Sequence, residues 1–164
     1  MSHNVDTFLK TYKQNLNDSY IYQEACQTLL VDGCKWDFRI LAHLNSSDSF
    51  SVSGVGIRMA SKDSNLLTHT LNNGTIIDYK NFQYKINPDL LNILINKLGI
   101  ALRSSYGNVG EFSVDLGLCE NNVYKIYEIN SKPMIFDEHD IQNIGISNLK
   151  NMLIHYCNTL KSAR

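Results

Sequence analysis

Two stretches of this chain are built to turn back on themselves and to bring charged side chains face to face. Asn121-Asn122 lies between extended stretches, and asparagine tolerates the positive φ that a tight hairpin requires. Closing that turn with two residues sets Asp115 opposite Glu128 and Ser113 opposite Asn130. Directly opposed side chains have Cβ atoms about 4.5–5.5 Å apart, and like charges so placed destabilise a sheet. A divalent cation would remove the repulsion, and oxygen donors of this kind suit Mg2+ or Mn2+ rather than zinc. The bland alternative is that each acid pairs with a lysine such as Lys125 or Lys132 on a solvated face. A second hairpin, closed over Ser46-Ser47-Asp48-Ser49 with Asn45 opposite Phe50, sets Arg58 against Asp37 and Arg39 against Gly56. Gly54 and Gly56 would leave room above that face. Two guanidiniums beside open backbone suit phosphate, whose oxygens match the planar fork. Equally, Asp37 could pair both arginines on a wet surface, which contributes little stability.

The elements that must position these residues follow from periodicity. Residues 36–45 alternate, with Phe38, Ile40, Ala42 and Leu44 on one face and Asp37, Arg39, Leu41 and His43 on the other. Residues 50–60 resume as a strand with Val52, Gly54, Gly56 and Arg58 together. Residues 111–119 turn Phe112, Val114, Leu116 and Leu118 inward, and 123–130 return beside them. Pro88 opens a helix whose stripe is Leu91, Leu94, Ile95, Leu98 and Leu102. A last helix, from about 140 to 160, groups Ile141, Ile144, Leu149, Leu153 and Tyr156. A short helix is expected over 4–16 and a strand over 20–27, while 61–82 reads as a long loop with short extended pieces. Neither repeat nor linker interrupts the pattern. The expectation is one α+β domain over 1–164, an antiparallel sheet with flanking helices.

Composition removes other classes. The 164 residues are 43% hydrophobic, the size and content of one folded domain. A net charge of −1 supplies no field for nucleic acid. Apolar runs fall far short of the roughly 20 residues that span a membrane. Cys26, Cys34, Cys119 and Cys157 form no CxxC pair, and no apolar leader opens the chain, so free thiols in the cytoplasm are expected. His43, His69, His139 and His155 lack metal-site spacing and read as surface or satisfied core histidines. No phosphate loop, GxGxxG or GxSxG is present. Trp36 is expected to pack.

Four ordered segments carry a resemblance: Asp37-Phe38-Arg39, Gly54-Val55-Gly56-Ile57-Arg58, Asp115-Leu116-Gly117, and Glu128-Ile129-Asn130-Ser131-Lys132-Pro133. Together they resemble the ATP-grasp superfamily, in the wording of its YheC/YheD type, described as endospore coat-associated. The resemblance covers about 18–160 and implies the C-terminal lobe of that fold. It implies ATP with Mg2+ (or Mn2+) as cofactors, Asp115, Glu128 and Asn130 as metal ligands, and Arg39 and Arg58 on phosphates or an acyl phosphate. Gln23-Glu24-Ala25-Cys26 would be the hinge that holds adenine. His69, Asn72, Asn73 and Gly74 would form the substrate-side loop, with His69 in place of the family's asparagine and Gly74 alone of a glycine pair. The implied activity is carboxylate activation by a ligase, acting on nucleotide and a carboxylate substrate that the sequence does not name. The lobe that carries phosphate-binding lysines would precede this segment, so a fragment or a divergent single-lobe form is expected, self-associating through an exposed face. A non-catalytic coat-associated module and a hydroxyl phosphotransferase are the alternatives. The implied location is cytoplasmic, with spore association.

Overall fold

A computed structural model describes residues 27–46, 48–62, 74–133 and 135–162. The helix expected over 4–16, all of the strand expected over 20–27 except Gln27, the hinge Gln23-Glu24-Ala25-Cys26, and the loop residues His69, Asn72 and Asn73 lie outside them. Five strands, β1 (Trp36–Leu44), β2 (Phe50–Met59), β3 (Thr75–Ile77), β4 (Glu111–Leu118) and β5 (Tyr124–Asn130), form one antiparallel sheet. Their spatial order is β3-β2-β1-β4-β5. Helix α1 (Pro88–Tyr106) precedes β4, and α2 (His139–Ser162) follows β5. This is the α+β sheet with flanking helices that the patterns call for.

The alternation of β1 and β4 decides which face is apolar. Phe38, Ile40, Phe112, Val114 and Leu116 are fully buried on one side with Trp36. Trp36 packs edge-on against Phe38 and tilts against Phe82. Helix α1 closes this core with Leu91 and Ile95, while Leu94, Leu98 and Leu102 pack at its margin. Asn87 caps α1 by accepting from the amides of Asp89 and Leu90, and Gly107 ends it at φ +81, where a side chain would be strained. Gly99 lets the helix approach β2: a Cβ there would lie 2.2 Å from the Phe50 ring. Asn96 and Asn92 of α1 accept from the amides of Phe50 and Val52, covering part of the outer edge of β2.

Both hairpins depart from the expected pairing at the turn and regain it at the charged end. Phe50 pairs with Leu44, not Asn45, and a register shift beyond Val52 restores Gly54 opposite Leu41, Gly56 opposite Arg39 and Arg58 opposite Asp37. The extra residue, Ser53, moves Val52 off the glycine face and against the apolar core, correcting that expectation. The second turn is longer than two residues. Glu120–Asn122 form a short 3-10 turn with Asn121 and Asn122 both at φ 58, closed by the Cys119 amide on the Val123 carbonyl. A shift opposite Asp115/Leu116 then restores Asp115 to Glu128 and Ser113 to Asn130.

Helix α2 crosses the other face, and its packing stripe keeps only Ile141 and Tyr156 of the five expected residues. Ile144, Leu149 and Leu153 are exposed. The side turned inward is Ile141, Gly145, Asn148, Met152 and Tyr156. Both stripes have helical spacing, but two of the inward positions are not apolar. Gly145 admits Leu41, whose Cδ2 would lie 2.9 Å from a Cβ at that position. Asn148 donates to Ser53 Oγ at 2.8 Å. Hydropathy alone therefore favours the wrong face. Cys34, Cys119 and Cys157 are free thiols. No helix of the described residues is long and apolar enough to cross a membrane.

Candidate functional site

One pairing that no hairpin could reveal assembles the site. Strand β4 lies beside β1, with Arg39 opposite Asp115 and Leu41 opposite Ser113. The two hairpins are thereby joined into continuous rungs. One rung runs Gly56, Arg39, Asp115, Glu128 across four strands; the next runs Gly54, Leu41, Ser113, Asn130. Arg39, Arg58, Asp115, Glu128 and Asn130 thus share one region of the polar face.

Arg58 is the centre of its charge network. Its Nε and one terminal nitrogen donate to the two oxygens of Asp37, each at 2.9 Å, and that nitrogen also donates to Asp115 Oδ2 at 2.9 Å. Asp37 is only 6% exposed and the Arg58 side chain 12%. This is a buried bidentate pair and not the wet surface contact. Burial lowers the Arg58 pKa, but the hydrogen bond and charge of Asp37, then those of Asp115, outweigh it and hold the pKa above its ordinary value. Arg39 Nε stands 4.0 Å from Asp115 Oδ1, and its guanidinium lies under the Phe136 ring, 4.6 Å from the centroid. Asp115 Oδ1 is buried without a hydrogen bond, as is Ser113 Oγ. Glu128 is exposed at the rim and Asn130 half-buried.

The room expected above the glycines is occupied. A Cβ on Gly56 would lie 2.7 Å from Glu138 Oε1, and one on Gly54 would meet the Ile141 side chain. Above Gly117 lie Tyr127 and Thr28. The glycines therefore admit covering side chains close to the sheet. Gly74 immediately precedes β3, whose Thr75 pairs with Met59 next to Arg58.

Of the two readings open to His43, surface or satisfied core, the structure shows the second: it is 2% exposed. Its Nδ1 lies 2.8 Å from Ser53 Oγ and its Nε2 2.8 Å from Glu111 Oε2. An ionised Glu111 only accepts, so Nε2 carries the proton, Ser53 donates to Nδ1, and Ser53 accepts from Asn148. This chain ties α2 to the sheet. Burial lowers the His43 pKa below 6.5, although the charge and hydrogen bond of Glu111 oppose the shift. A histidine depressed in the folded state is protonated first in the unfolded state, so its contribution is present above about pH 6.5 and is lost as the pH falls through the folded value. The thermal midpoint is expected to fall from pH 7 toward pH 5, and more shallowly in His43→Gln. Identical slopes in melting curves of the two proteins would contradict this.

The described residues thus form an antiparallel sheet flanked by helices, with Asp115, Glu128 and Asn130 on adjoining rungs beside Arg39 and Arg58. The family model described as YheC/D-like ATP-grasp matches residues 1–160, and the chain belongs to that family. It is similar to the endospore coat-associated protein YheD of Bacillus subtilis (strain 168), 23% identical over 148 residues, covering 84% of this chain and 32% of that protein. The chain thus spans about a third of its curated relative's length.

Proposed function

We propose that the polar face binds the phosphates of ATP through a divalent cation, as part of an ATP-dependent, ligase-like protein that activates a carboxylate. The observation that carries this is Asp115. One of its oxygens is tied to Arg58, while the other is buried without a hydrogen bond, 4.0 Å from Arg39 Nε, on the rung that Asp115 shares with Glu128. The donor set fits the cation. Among the described residues no three His, Cys, Asp or Glu side chains cluster as a metal cage. Mg2+ does not need one: it takes one or two carboxylates and fills its shell with water and phosphate oxygens. Asp115, Glu128 and the amide oxygen of Asn130 would hold it, and when bound it would neutralise charge on the β- and γ-phosphates.

The chain's own residues supply orientation and positive charge. Arg58 is fixed by Asp37, and three of the five N–H donors of a guanidinium are spent on the two carboxylates. Its remaining donors and Arg39 would face the phosphoryl group, where a preorganised cation needs no rearrangement as charge develops. The name of the relative extends the proposal to spore association. Adding Mn2+ with ATP to isotopically labelled protein tests the placement. Amide signals of Ser113–Gly117 and Glu128–Asn130 should broaden, while those of α2 beyond residue 150 stay sharp. Broadening centred elsewhere, or none, would refute it.

A further inference from the structure

We infer that Asp37 is a positioning residue for this face, acting through Arg58 on Asp115; this rests on the nucleotide–metal reading above. Asp37 lies in β1 on the opposite strand from Arg58 and two residues before Arg39. Both of its oxygens are used by Arg58, and the nitrogen that completes the fork is the one that also binds Asp115 Oδ2. The consequence is geometric. Holding Oδ2 leaves Oδ1 as the Asp115 oxygen without a hydrogen bond. Asp37 thereby selects which oxygen of Asp115 is presented, without being placed among the metal ligands itself.

Stability is a poor explanation for this arrangement. Taking a carboxylate and a guanidinium out of water costs several kcal/mol per ion, and apolar replacements of a buried pair are often neutral or stabilising. What a buried ion pair supplies well is a fixed geometry. Two arginines around one carboxylate also need an anchor. Without Asp37, the Arg58 fork is free to rotate into a bidentate grip on Asp115 and occupy both of its oxygens, in competition with a cation.

The test is the affinity for Mn2+ with ATP, measured by water-proton relaxation, alongside the Nε–H signal of Arg58. In Asp37→Asn the affinity should fall at least tenfold, and the slowly exchanging Arg58 Nε–H signal should be lost. Asp37→Glu keeps the charge but displaces it by one methylene. It should recover the wild-type melting temperature while leaving the affinity depressed. A role in charge balance alone would restore both, so wild-type affinity in Asp37→Glu, or in a folded Asp37→Asn, overturns the proposal. Absence of binding by wild-type protein would instead overturn the nucleotide reading on which it rests.

Discussion

Arg58→Met should lower the stability of the fold by about 3–5 kcal/mol, the range for stripping one partner from a buried ion pair. Methionine matches the length of the arginine stem and fills the same space, so little packing is lost. The damage is electrostatic. Asp37 is 6% exposed and both its oxygens are satisfied by Arg58, so the variant leaves a buried carboxylate that has lost that compensation. Asp115 loses its hydrogen bond to Arg58 at the same time. The midpoint of urea unfolding reads the effect directly. The double variant Asp37→Asn/Arg58→Met should recover part of the loss, because the amide removes the stranded charge. A loss below about 1 kcal/mol in the single variant would place the pair in the range of a surface contact.

Strands β1, β2, β4 and β5, the polar and apolar faces of β1 and β4, and the α1 stripe were legible in the sequence, because period-2 and period-3.6 patterns are local; the three-residue β3, inside the segment read as a long loop, is too short to show a period. So were the cross-strand partners at the charged ends, and here the reason is less direct. Each expected register was one residue off at its turn, and a bulge in each hairpin cancelled the error before the charged residues. Nothing in the residue types announces a bulge, although Ser53 and Tyr127 are where the extra residues sit. The pairing of β1 with β4 was not legible. It joins residues far apart in the chain, such as Arg39 with Asp115, and it is the contact that brings the acids to the arginines. Helix α2 misled for a different reason. Its inward side uses Gly145 for close approach and Asn148 for a hydrogen bond, so the more hydrophobic stripe stands outward. Glu138 and Phe136 could not be assigned to the site either, since only the fold lays the segment after β5 over Gly56 and Arg39.

The strongest functional effect belongs to Asp115→Asn. The substitution keeps the shape and a hydrogen bond to Arg58 but removes the negative charge, so the fold should survive and cation binding should not. Changes one shell out from a metal typically cost 10–100-fold in affinity, and a ligand should cost at least about a hundredfold. Asp48→Asn, at the exposed β1–β2 turn with an ion pair to Arg103, serves as the control. Calorimetric titration of ATP in the presence of Mg2+ reads this effect. Saturable heat is expected with the wild-type chain and with Asp48→Asn, and at least hundredfold weaker binding with Asp115→Asn. Equal heats in wild type and Asp115→Asn, or no heat with wild type, would contradict nucleotide binding through a cation at Asp115.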